Sequence, residues 1–245
     1  MRRRKRWLFL FGILAGFAMS VPCMRSFNSN THRYVTEHSL GLISEIDGHK
    51  NIVTPDDKKH FGTIADYSLK PDEDEIEGAY KYHFYNPATE TNFMGEENSA
   101  LTKCNLHYDN AVRAYKDNNK VFAFQELGRA IHFMEDLNTP VHVGYNLPTD
   151  AVLKFPLHVR FEKICDNINK ECKAEVPLDA FKYFKANSVS TIAKSSAILA
   201  SGNYYRLNNE VGKESSSDLA KNSVLNAQYR ITGLLYKFFS QVRSV

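Results

Sequence analysis

The stretch 131–162 constrains this chain more than any other, because it spaces His132, Asp136, His142, His158 and Glu162 so that two pairs stand four residues apart. Residues four apart lie one turn above each other on the same face of an α-helix. His132 with Asp136, and His158 with Glu162, are therefore expected on two helices, with His142 on the turn after Pro140. For the first pair alone a solvated polar face is the simpler account. Two features argue against it: Gly128, one turn before His132, leaves room for a close neighbour, and the same spacing recurs on the second helix.

Helical periodicity runs through most of the rest. Apolar residues recur at helical spacing over 32–46, 99–117, 120–137, 157–168, 178–200 and 218–242, and the last stretch sets Leu225, Ile231, Leu234, Leu235, Phe238 and Phe239 on one broad face. Within 120–137, Phe124, Leu127, Ile131 and Met134 form the core stripe. Pro156 suits the first turn of its helix, where a missing N–H is harmless. Residues 49–79 read as polar and irregular, and the acidic run 72–77 as a solvated loop. No strand alternation persists, so the expected fold is all-α, a single multi-helix domain of a size that 245 residues support.

The first residues follow a different logic. Residues 1–6 are basic, 7–17 apolar, and Ala18-Met19-Ser20 offers small side chains, which together read as a secretory signal over 1–20 with cleavage between about 20 and 26. The apolar run is short of the roughly 20 residues that cross a bilayer. The five basic residues of this segment exceed the whole-chain formal charge of +3, so the remainder is slightly acidic and gives no support to a nucleic-acid partner. The expected location is extracellular or periplasmic. Of the four cysteines, Cys165 and Cys172 bracket a short polar segment, and Cys23 with Cys104 would tie down the N-terminus; the spacing decides neither pairing.

Zinc takes imidazole nitrogen and carboxylate oxygen, and two helical pairs with a turn-borne histidine between them look like walls of a polynuclear site. The series His132, Asp136, His142, His158, Glu162, within AIHFMEDLNTPVH and LHVRFE, resembles the secreted zinc-dependent phospholipases C of bacteria and, more distantly, the single-strand nucleases that share their fold. Upstream, Asn30-Thr31-His32 is similar to the family's first histidine motif, Ile64-Ala65-Asp66-Tyr67 to its aspartate motif, and Tyr82-His83-Phe84-Tyr85-Asn86-Pro87 to its next histidine motif.

The resemblance implies a phospholipase C catalytic domain over 21–245 with up to three zinc ions. One would be held by Asp66, His83, His132 and Asp136, and a second by His142, His158 and Glu162. A third would take His32, a shared Asp136, and the amine and carbonyl of the mature N-terminus. It also implies Asp66 as the base for an attacking water, glycerophospholipid as substrate, phosphatidylcholine foremost, and a membrane surface or lipid aggregate as the place of action. Tyr67 and Tyr80 match the aromatic positions that meet a choline ammonium; packing within an aromatic-rich loop is the other account of them. His38, His49, His60 and His107 match no motif and read as surface or loop residues.

Three departures stand out. Processed family members usually begin with a Trp that chelates zinc through its main chain, whereas the lone Trp here is Trp7, within the signal, leaving Val21 or Phe27 to serve. The stretch from Asp66 to His83 is longer than the family's. Toxin-like members add a C-terminal β-sandwich, and the expectation here is a catalytic domain without one, acting on accessible or dispersed lipid. A single-strand nuclease is disfavoured by Glu162, by the Ala-Asp-Tyr context of Asp66 and by the slightly acidic mature chain. A secreted metal-binding protein that has lost catalysis is the remaining alternative.

Overall fold

The structure is a computed structural model that describes residues 29–46, 52–74, 78–209 and 213–243. The leader, Cys23 and the proposed chelating N-terminus lie outside the described residues, as does His49. The chain runs α1 (Ser29–Ile46), α2 (Pro55–Lys58), α3 (Phe61–Tyr67), α4 (Lys70–Glu73), a 3-10 turn (Ala79–His83), α5 (Ala100–Lys116), α6 (Lys120–Leu137), α7 (Pro140–Val143), α8 (Asp150–Leu153), α9 (Phe155–Ile168), a 3-10 turn (Asn169–Glu171), α10 (Ala180–Ala186), α11 (Val189–Asn209) and α12 (Lys213–Arg243). The fold is all-α: among the described residues the one β contact is a single bridge between Asn86 and Thr91. None of the described helices is long and apolar enough to cross a membrane.

Helix α6 is the axis. Phe124, Leu127, Ile131 and Met134 are fully buried, and the helix packs against α5, α3 and α12. Asn119 caps it by accepting a hydrogen bond from the Phe122 N–H, which satisfies an otherwise orphaned donor. Helix α12 closes the other side, burying Ile231, Leu234, Leu235, Phe238 and Phe239 while it packs on α1, α9, α10 and α11. Full burial of a large apolar side chain contributes about 1.5–3 kcal/mol relative to exposure, so these two helices anchor everything that carries polar chemistry.

Two expectations change. The stretch 178–200 is not one helix: Asn187 is extended (φ −98°, ψ 151°), and the Ser188 hydroxyl accepts from the Thr191 N–H to start α11 afresh. Residues 49–79 are not irregular throughout, since α2, α3 and α4 fall within them. Thr54 opens α2 with a reciprocal cap, its hydroxyl accepting from the Asp57 N–H while the Asp57 carboxylate accepts from the Thr54 N–H. The thiols of Cys104, Cys165 and Cys172 are free and buried; Cys165 and Cys172 do not close a loop.

Candidate metal centre

His132 is the hub of a buried polar cluster. Its Nδ1–H donates to the Ser68 carbonyl at 2.8 Å, which leaves Nε2 as the inward-facing nitrogen. That atom lies 3.4 Å from Asp136 Oδ2, one turn along α6, and 3.6 Å from Asp72 Oδ1. His83, at the end of its 3-10 turn, places Nδ1 3.0 Å from His132 Nε2 and 2.9 Å from Asp136 Oδ2. His32, from α1, stacks on His132 with ring centroids 4.3 Å apart and directs Nε2 to within 4.0 Å of Asp72 Oδ2. The other nitrogen of His32 meets the Glu135 carboxylate.

A second group sits beside it. His142, on α7, donates Nδ1–H to the His83 carbonyl at 3.1 Å and turns Nε2 toward Glu162 Oε1 at 3.2 Å. His158, on α9, lies with Nε2 2.8 Å from the same oxygen. That nitrogen is fully buried and has this carboxylate as its ion-pair partner. The Tyr145 hydroxyl stands 3.5 Å from His158 Nδ1.

Donor atoms thus fall into three sets, each within 4.8 Å: His32 with Asp72 and His132, His83 with His132 and Asp136, and His142 with His158 and Glu162. Nitrogen and carboxylate oxygen are the ligands zinc takes, and a cation among His142, His158 and Glu162 would meet three buried donor atoms at once. The electrostatics point the same way. Asp72, Glu135, Asp136 and Glu162 are all buried, and buried carboxylates are costly unless matched by positive charge. Burial drives the Asp72 carboxyl up to about 7 despite His83 and His32, with Asp136 and Glu162 adding to the rise. Burial likewise pushes Glu135 up to about 7 despite His32. Asp136 goes the other way: burial opposes it, but His132, His142 and His83 hold its carboxyl well below the usual range. His32 is raised to about 9, the pull of Glu135, Asp72 and Asp136 outweighing burial.

The structure brings together seven of the eight side chains expected from sequence and leaves one outside. Asp66 is 58% exposed and paired with Arg33 at 2.8 Å. The reason is packing: Ile64 and Ala65 are the buried face of α3, so the next residue points to solvent. The close fit of α3 on α6 depends on Gly128, where a Cβ would lie 2.5 Å from the Ile64 carbonyl and 2.8 Å from Tyr67 Cβ. The chain then turns once more and delivers Asp72, the first residue of the run read as a solvated loop and only 8% exposed. His32 also groups with Asp72 and His132, where the expectation joined it to Asp136.

The aromatic positions separate. Tyr67 has its ring covered by the Arg129 guanidinium at 5.5 Å, and Tyr80 stacks on Phe93 at 5.9 Å. A cavity of about 230 Å³ beside His83 is bordered by Pro71, Tyr82, Lys103 and Arg129. Of the histidines without a motif, His107 is no loop residue: it sits on α5, 2.9 Å from Glu126 and stacked on Phe133. Sequence reasoning missed Asp72 and Glu135. Pro71-Asp72, ahead of His83, was the available signal for the first; nothing local marks the second.

Comparisons with known proteins bear on the family and the fold. Residues 31–223 match the family model described as zinc dependent phospholipase C. A phospholipase C of Paraclostridium bifermentans is 30% identical over 152 residues, covering 55% of this chain and 36% of that protein. A phospholipase C of Listeria monocytogenes is 26% identical over 136 residues, 54% of this chain and 45% of that one. The chain therefore spans less than half the length of these relatives. Among solved structures, the alpha toxin from Clostridium absonum superposes with a TM-score of 0.78 at 21% identity over 88% of this chain and 64% of that chain. The Clostridium perfringens alpha-toxin gives 0.75 at 20% over 89% and 65%. At those identities the structural match speaks for the fold.

Proposed function

This chain belongs to the zinc-dependent phospholipase C family, and from that premise we propose that it is a secreted enzyme hydrolysing glycerophospholipids, phosphatidylcholine among them, to diacylglycerol and a phosphorylated headgroup. Residues 1–20 serve as its leader and 21–245 as its catalytic domain in this reading. The observation that carries the reading is the cluster itself, five buried imidazoles and four buried carboxylates drawn from six segments of the chain. Most of that polar set has no purpose in a core that lacks a cation.

The residues that would hold zinc are His32, Asp72, His83, His132, Asp136, His142, His158 and Glu162. Bound zinc supplies positive charge for the phosphodiester oxygens and makes water acidic enough to attack near neutral pH. The chain's own contribution is order. Ser68 and His83 hold the tautomers of His132 and His142 through their carbonyls, so each presents Nε2 without searching for it. Asp72, between His32, His83 and His132, takes the proton-accepting role that the resemblance gave to Asp66. The water oxygen would add to phosphorus as the bond to the glycerol oxygen breaks, its proton passing to Asp72 and then to the departing glycerol oxygen, which leaves as diacylglycerol. Tyr80 and Tyr67 remain the aromatic walls for a headgroup in this reading, with one face of Tyr67 already met by the Arg129 guanidinium.

The test uses the secreted full chain with phosphatidylcholine and, separately, single-stranded DNA, each before chelation, after it, and after zinc is restored. Phosphocholine release that disappears with the chelator and returns with zinc is the expected result. Release that survives chelation overturns the metal mechanism, and cleavage of DNA without lipid selects the nuclease.

A further inference from the structure

Glu135 lies between two proposed ligands on α6, and helical spacing puts His132, Glu135 and Asp136 on one side of that helix. It is 1% exposed, and both of its oxygens are engaged by one neighbouring helix. Oε2 meets His32 Nδ1, while Oε1 accepts from the Thr36 hydroxyl at 3.1 Å. His32 and Thr36 are one turn apart on α1, so a single carboxylate grips two successive turns of that helix.

The chemistry of the contact fixes the ring. A carboxylate accepts and does not donate, so the proton of His32 sits on Nδ1 and the lone pair of the neutral ring on Nε2. Nε2 is the atom that faces Asp72, with the ring stacked on His132. Among the proposed ligands, His132 and His142 are oriented by backbone carbonyls, which any sequence supplies. His32 is oriented by a charged side chain, which only this residue supplies.

We infer that Glu135 is a positioning residue for the ion held by His32, Asp72 and His132: its carboxylate fixes the ring and tautomer of His32 so that Nε2 is presented to zinc. This rests on the zinc reading of the site. Outer carboxylates of this kind raise the basicity of the histidine they hold, and their loss costs about 10–100-fold in metal affinity. The set that Glu135 serves has two ligands of its own, because His132 is shared with the set containing His83 and Asp136.

The experiment measures zinc, independently of turnover, in the full chain. Metal content and affinity are determined by titration against a chromophoric chelator for the wild type, Glu135→Gln, Glu135→Ala, His32→Ala and the double variant. Glu135→Gln keeps an acceptor for Nδ1–H without the charge, and we expect it to weaken one ion about 10-fold while leaving the others at wild-type affinity. Glu135→Ala should weaken that same ion about 100-fold, and His32→Ala should remove it. The double variant should match His32→Ala, since Glu135 acts through His32. Wild-type affinity in both Glu135 variants overturns the inference. So does a loss shared equally by all ions, or a Gln variant no better than Ala, either of which marks a merely structural residue. A wild-type protein that takes up no zinc overturns the zinc reading and this inference together, which separates the two failures.

Discussion

Two regions of this protein bury carboxylates, and they do so to opposite ends. Asp57, on α2, is 0% exposed and is met on every side by fixed donors. The Thr54 N–H and hydroxyl stand at 2.9 and 2.7 Å, the Tyr115 hydroxyl at 2.9 Å, and the Arg243 guanidinium comes from the far end of α12. These hold its carboxyl below the usual range against the effect of burial. The carboxylates around His132 are met instead by imidazoles, cations only when protonated, and in the case of Glu135 by the Thr36 hydroxyl as well. A buried charge matched by permanent donors is a structural tie, and one matched by conditional donors is a place kept for something else.

The largest effect that can break this contrast lies in the cluster. Asp72→Asn should lower phospholipid hydrolysis roughly 10³-fold, within the range of a positioned proton acceptor. Asp66→Asn, at an exposed site, should stay within about twofold. Steady-state rates on the two variants decide it, and the reverse order would restore Asp66 to the site.

Zinc removal comes next. A ligand at about a thousand times its Kd stabilises by about 4 kcal/mol, which for a domain of this size is about 8–16 °C in Tm. Chelation should therefore lower Tm by that amount in the wild type, read by thermal unfolding with and without zinc. Equal melting temperatures would show that the cluster needs no cation.

The smallest effect tests the other region. Asp57→Asn should cost about 3 kcal/mol, at the low end for a broken buried pair because Arg243 is 24% exposed. The loss should be the same with and without zinc. Since the folded pKa of Asp57 lies below its ordinary value of 3.8, its stabilisation is present above that value and fades as pH falls through and below it. The gap between wild type and variant in urea unfolding should thus be full at pH 6 and shrink toward pH 3. A gap independent of pH would remove the charge from the explanation.

How much of this was legible beforehand follows from distance along the chain. The pairs His132 with Asp136 and His158 with Glu162 were readable because helical geometry is local, and α6 and α9 form where the periodicity placed them. The break at Asn187 was not, because the apolar spacing of Phe184 and Ile192 continues across it while the backbone does not. His107 reads as a stray surface residue until α5 and α6 are laid side by side.

The sequence by itself determined an all-α chain, the helical pairs and the kind of ligand they offer, since each follows from residues within a turn or two of one another. The tertiary structure alone decided which aspartate enters the site. Ile64 and Ala65 bury against α6 where Gly128 admits them, and that turns Asp66 outward and carries Asp72 in. It alone also set Glu135 against His32, which lies 103 residues away in the chain. Neither choice is encoded locally, because both depend on which helix faces are driven out of water together.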